Sequence, residues 1–172
     1  MPDFTMYRVF CSTPAILEEE RRAFHDQIGN FNEDGGLAAG ILFIPVTLRG
    51  DAAVGGVRAA VHQNVRDADF YVQILGHSWG SSEAGLEDLF DLALDCLADP
   101  ALPMRRIAVL LKAVDPDRIK PDVARFRAVV EQNDKCKVMH FEDTASLTER
   151  ITEMLASWRR ELMGSPQCAA GS

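Results

Sequence analysis

Five short apolar runs, each followed by an amphipathic stretch, constrain the fold of this chain more than any other feature. The runs cover residues 7–11, 41–46, 70–75, 107–112 and 137–141. They are rich in Val, Ile and Leu and barely alternate with polar residues, as strands covered on both faces do. The stretches between them read as helices. The first spans about residues 14–28, and the second, about 57–68, sets Val57, Val61 and Val65 on one stripe. The third carries Leu86, Leu89, Phe90, Ala93 and Leu97, and the fourth Val123, Phe126 and Val130. The last repeats Leu147, Ile151, Leu155, Trp158 and Leu162 at near-heptad spacing, a stripe that fits core packing or a second chain. Thr13-Pro14 has the form of an N-cap followed by proline at the first helical position.

Strict alternation of strand and helix implies parallel strands joined by right-handed crossovers, hence an α/β fold. Five such units fit a flavodoxin-like three-layer sandwich with strand order 2-1-3-4-5. In that order the loops after the first and third strands share the switch point, where open α/β sheets bind ligands. Both loops are polar corners. The third run breaks into Gly76-His77-Ser78-Trp79-Gly80-Ser81-Ser82, and the first into Ser12-Thr13-Pro14. Ser12, Thr13, Gly76, His77, Trp79, Gly80 and Ser81 are therefore the candidate ligand contacts, with Arg49 after the second run within reach of a phosphate.

At 172 residues the chain is long enough for one core without disulfides, and residues 1–163 read as a single domain. Residues 30–40, with Asn-Glu-Asp-Gly-Gly, read as a loop at the end away from the crevice, and residues 164–172 as a disordered tail. No internal repeat is visible. The net charge of −8 opposes a nucleic-acid footprint, which needs a basic face. The apolar runs are too short to span a membrane, and the N-terminus lacks the pattern of a signal peptide. Cys11, Cys96, Cys136 and Cys168 lack metal or Cys-x-x-Cys spacing and read as reduced thiols of a cytoplasmic protein. His25, His62 and His140 are too scattered to suggest a metal site.

Each candidate has a plain structural alternative. Ser12 and Thr13 can bind phosphate beside a helix N-terminus or simply cap that helix. Trp79 can stack on a base or cover the sheet end as core, and His77 can contact a ribose or sit solvated in its loop. Arg49 is equally an exposed loop residue, and Gly50-Asp51 reads as turn chemistry. Cys11 reads as a small core hydrophobe. The charge-dense stretch 18–22 reads as a solvated helix face with a Glu18–Arg22 pair at i, i+4.

Arg8-Val9-Phe10-Cys11-Ser12-Thr13, followed by Leu17-Glu18-Glu19-Glu20-Arg21, resembles the opening of a TIR-like family of unknown function. Asp67-Ala68-Asp69 before the third strand, with Ile74-Leu75-Gly76 and Trp79-Gly80 after it, extends the likeness over roughly residues 7–112. Members sit at the N-terminus of bacterial signalling or defence ATPases and repeat proteins, and the family is related to TIR domains and nucleoside deoxyribosyltransferases. The resemblance implies a nucleotide-like ligand, possible cleavage of an N-glycosidic bond, and either self-association or a fused effector. Catalytic relatives carry a glutamate four residues before a small residue on the third helix, where it can support an oxocarbenium-like ribosyl centre. Here the small residue is Ala93, the position four before it is Leu89, and the nearest glutamate is Glu87, on another stripe.

Two functions follow. One is a weakly catalytic or non-catalytic nucleotide-binding or self-association module that needs no cofactor. The other is an enzyme that hydrolyses NAD or transfers a nucleoside base, with Glu87 as its catalytic carboxylate. A receiver-like protein is disfavoured, because Phe10-Cys11-Ser12 lacks the acidic residues it needs. A flavin protein would want a phosphate loop richer in Ser, Thr and Gly than Cys11-Ser12-Thr13-Pro14.

Overall fold

Each apolar run becomes a strand: β1 (Thr5–Ser12), β2 (Ile41–Thr47), β3 (Phe70–Leu75), β4 (Arg106–Lys112) and β5 (Cys136–Phe141). The computed structural model describes residues 3–47, 55–80 and 85–164. The strands form one parallel sheet in the order β2-β1-β3-β4-β5, which sets Ser12 beside Gln73 at the β1–β3 seam. The helices are α1 (Glu18–Phe31), α2 (Leu37–Ala39), α3 (Gly55–Arg66), α4 (Leu86–Ala98), α5 (Pro121–Glu131) and α6 (Thr144–Gly164). The architecture is a flavodoxin-like three-layer α/β fold.

Strand residues point alternately to the two faces, so one sheet feeds two cores. Val9, Cys11, Phe70, Val72, Ile74 and Leu110 face α1 and α6, where they meet Phe24, Ile28, Leu147, Ile151, Leu155 and Trp158. Phe10, Tyr71, Leu75, Val109 and Leu111 face α3, α4 and α5, where Val61, Val65, Leu89, Phe90, Val123 and Phe126 complete the second layer. All six residues of β3 are buried, as suits a strand central to the sheet. The α6 stripe is thus core, and Met154 joins it. No helix among the described residues is long and apolar enough to cross a membrane.

Four local expectations need correction. Residues 30–40 are not a loop: α1 runs on through a π-type turn, Asn32–Gly36, into α2. Asn32 makes this possible by bonding both backbone groups of Phe43, donating from Nδ2 to its carbonyl (2.9 Å) and accepting its N–H at Oδ1 (3.0 Å). A Cβ at Gly36 would come within 2.7 Å of the Ile41 carbonyl, and Gly40, at φ +68°, turns the chain into β2. This segment sits at the amino end of β2, away from the polar corners.

Thr13 does not cap α1. A 3-10 turn, Ala15–Leu17, intervenes, and the Thr13 hydroxyl lies 3.2 Å from Cys11 Sγ instead. Stretch 18–22 is not wholly solvated either. Arg21 holds Glu18 more closely (2.6 Å) than Arg22 does (3.3 Å), while Glu20 is buried and ion-paired with Lys112 at the end of β4. Gly164, expected in the tail, ends α6, and residues 165–172 lie outside the described residues.

Candidate functional site

The two polar corners meet at the carboxyl edge of the sheet. A Cβ placed on Gly76 would lie 3.6 Å from Leu17, and one on Gly80 would lie 3.9 Å from Pro14, so loop 76–80 runs against loop 13–17. Gly80 takes φ +81°, which an L side chain rarely adopts, and its N–H donates to Ser78 Oγ (3.0 Å). Two bonds tie this corner to α5 and its approach. The Lys120 N–H donates to the His77 carbonyl (2.9 Å), and Arg127 Nη2 donates to the carbonyls of Gly76 (3.1 Å) and Lys112 (2.5 Å). His77 itself is half-buried.

Beneath the corner lies a polar seam within otherwise apolar core. Tyr71 donates its phenolic O–H to Gln73 Oε1 (2.9 Å), and Gln73 Nε2 donates to the Ser12 carbonyl (3.1 Å). Ser12 is fully buried. Burial pushes the Tyr71 phenol well above its ordinary range. Burial also pushes the Cys11 thiol up to about 12, opposed by its bond with Thr13 and by the Arg21 charge. Cys11 is therefore a neutral thiol at physiological pH, as a core residue should be. Three buried atoms make no hydrogen bond among the described residues: Ser12 Oγ, Trp79 Nε1 and Arg127 Nε. A buried polar atom left unpaired costs about 1–3 kcal/mol, so each marks a place where a donor or acceptor from outside would be welcome.

Trp79 is core on one side and polar on the other. Its ring meets Phe126 edge-on at 4.9 Å, and Phe126 in turn meets Phe90 at 5.0 Å. Only 9% of Trp79 is exposed, which leaves its indole N–H as its polar handle.

The start of α1 offers a phosphate little. Glu18, Glu19 and Glu20 all lie in its first turn, where they already answer the positive end of the helix dipole. The Arg21 guanidinium hydrogen-bonded to Glu18 holds that carboxyl below its ordinary range, so it carries its charge at neutral pH. On α4, which starts after Gly85 (φ +57°), Leu89 is 2% exposed and packs in the core with Phe90 and Ala93. Glu87, in the first turn of α4, faces solvent. Its neighbour Asp88 is bound to Arg58 of α3 at 3.1 Å. Arg49, Ser81 and the acidic Glu83 lie outside the described residues. No group of His, Cys, Asp and Glu suited to a metal ion occurs among the described residues.

Sequence reasoning passed over Gln73, Tyr71, Glu20, Lys112 and Arg127. Gln73 and Lys112 were visible as polar residues inside or at the end of apolar runs, where a side chain needs a partner. Glu20 and Arg127 gave no such signal, since charged residues are ordinary on amphipathic helices. Fold and crevice define a flavodoxin-like α/β protein with a polar switch-point corner. Compared with protein-family models and with curated proteins, the chain matches none.

Proposed function

We propose that the chain is a TIR-like module of a bacterial signalling or defence system that binds an anionic, nucleotide-like molecule at its carboxyl-edge crevice without cleaving it. One observation carries the reading: loops 13–17 and 76–80 meet at the switch point, and the buried Trp79 indole N–H beside them has no partner among the described residues. A ligand acceptor there would satisfy that donor, while the aromatic group presents apolar surface to a base or sugar. Cleavage of an N-glycosidic bond needs a carboxylate beside the ribosyl carbon, and a misplacement of about 1 Å can cost on the order of a hundredfold. Leu89 occupies the corresponding helical position and is packed in the core.

Titration with NAD, ADP-ribose and ATP tests the binding. At least one should saturate, and Trp79→Phe, which keeps an aromatic ring but deletes the N–H with part of the indole, should weaken it about tenfold. Saturation by none of the three overturns the reading and leaves self-association. Glu87 favours a second reading as an NAD glycohydrolase, because it is exposed at the carboxyl edge in the first turn of α4. Incubation with NAD at low and high protein concentration should release no nicotinamide. Release that disappears in Glu87→Ala would replace the first reading with the second.

A further inference from the structure

At the carboxyl edge, the end of β4 and the residue after β3 lie side by side, because the two strands pair as far as Leu75 with Leu111. The carbonyls of these next residues, Gly76 and Lys112, both accept from one nitrogen of α5, Arg127 Nη2, at 3.1 and 2.5 Å. Gly76 opens loop 76–80, so this shared donor sets the direction in which the loop leaves the sheet. The Lys120 N–H, at the start of α5, holds the next carbonyl of the loop, that of His77, at 2.9 Å. Two successive carbonyls of the loop are thus held from one helix.

Lys112 also reaches the other wall of the crevice. Its ammonium pairs with the buried Glu20, in the first turn of α1, just after loop 13–17. A polar line therefore runs from α1 through Lys112 to Arg127 and on to Gly76, beneath both loops. Arg127 itself is half-buried and in no ion pair among the described residues, since Glu131, one turn further along α5, lies against His140 at 3.4 Å. Burial accordingly lowers the pKa of its guanidinium, and the more distant Glu131 charge only opposes this. For stability alone an apolar side chain would serve such a position as well, because a desolvated cation without a carboxylate is costly. What an apolar side chain could not supply is the hold on Gly76.

We infer that Arg127 is a positioning residue of the crevice: through the Gly76 carbonyl it holds loop 76–80 against loop 13–17 before a ligand arrives. The inference rests on the crevice reading above and names the residue that prepares that site. A loop already in its binding conformation loses no further freedom on binding, so the hold appears as affinity. The guanidinium is planar and rigid, and fixes the direction of the carbonyls as well as their distance. Arg127 does this without touching the ligand, for its Nε is buried and its Nη2 is engaged twice.

Amide hydrogen exchange of the ligand-free protein, together with titration by NAD, ADP-ribose and ATP, makes the test. Arg127→Met should speed exchange of the Gly80 and Lys120 amides about tenfold or more, while the amides of β1 and α6 keep their rates. The same variant should weaken whichever of the three nucleotides binds by about tenfold. Arg127→Lys keeps the charge and a donor on a stem one bond shorter, and should recover part of both losses. It also carries the test if the methionine variant does not fold, with smaller changes of the same pattern. Unchanged exchange at Gly80 and Lys120, exchange that rises equally in every element, or nucleotide affinity that the variants leave intact would each overturn the inference while the crevice reading stands. An unaltered protein that binds none of the three overturns the crevice reading, and this inference with it.

Discussion

At the carboxyl ends of β1 and β3, small polar loops meet helices whose first turns carry Glu18, Glu19, Glu20, Glu87 and Asp88. At the amino ends of β3 and β4, two ion-paired arginines, Arg105 and Arg106, rim a recess beside the buried stack of Phe70 on Trp158. The first edge is where a parallel sheet is bound to open a crevice, because every crossover leaves its loop there. The second has no topological reason to hold anything. Its recess lies where the last turns of α4 and α6 come to the amino ends of β3 and β4. Backbone topology therefore marks one edge as a candidate site, while at the other the charges already answer one another, Arg105 with Asp69 and Arg106 with Glu161.

The largest effect should separate the two tryptophans. Trp158 is 5% exposed and stacked on Phe70, so Trp158→Ala should cost about 3–5 kcal/mol in urea denaturation. Trp79→Phe should cost no more than about 1–2 kcal/mol, because a phenyl ring keeps contact with Phe126 and the loss of an unpaired buried N–H offsets part of the cavity left by the smaller ring. Equal losses would mean that Trp79 is held by its N–H as well as its ring. The carboxyl-edge reading would then lose its main support.

The same contrast explains what was legible beforehand. Residues 70–75 were readable as a strand because an apolar run of that length between turn signals has few other uses, and β3 has those bounds. Alternation and handedness imply a parallel α/β sheet, and the order 2-1-3-4-5 that five such units fit is the order the strands take. Residues 30–40 failed because Asn-Glu-Asp-Gly-Gly is turn chemistry locally, while Asn32 reaches across eleven residues to the Phe43 backbone. Thr13 as a cap failed for the same reason. Thr13 had two partners available, and the thiol two residues before it was the nearer. No sequence period announces that Glu20 will be buried against Lys112, or that Arg105 will lie over Tyr7.

The buried ion pair should give the next effect. Lys112→Met leaves the Glu20 carboxylate in the core without its cation, a change that costs about 3–5 kcal/mol where both partners are fully buried. The Lys112 side chain is 31% exposed, so water screens part of this and about 2 kcal/mol is expected. Replacing both residues, Glu20→Leu with Lys112→Met, should recover most of the loss. The measurement is urea denaturation of the three variants at one pH. If the double variant is no better than the single one, the pair does more than balance its own charges, and the carboxyl edge owes its shape to it.

The smallest effect concerns two helix starts on the carboxyl edge that look alike and are held differently. Asp143, just before α6, accepts from the Ser146 backbone N–H (2.8 Å) and hydroxyl (2.9 Å), and the backbone bond leads in holding its carboxyl below the ordinary range. Glu18 is lowered chiefly by its bond with Arg21. A carboxyl lowered in the folded state stabilises the protein above its unfolded pKa, and that contribution is lost as pH falls through the folded value. Asp143→Asn and Glu18→Gln should therefore each flatten the acid side of the stability–pH curve, with little change elsewhere. Salt distinguishes them. An exposed ion pair is screened over about a Debye length, roughly 10 Å at 0.1 M, whereas short cap hydrogen bonds to the backbone are screened much less. Melting curves through the acid range at low and high salt should show the Glu18→Gln difference shrinking and the Asp143→Asn difference persisting. If both shrink together, the Asp143 cap acts as a charge rather than as an acceptor, and the two helix starts are the same device after all.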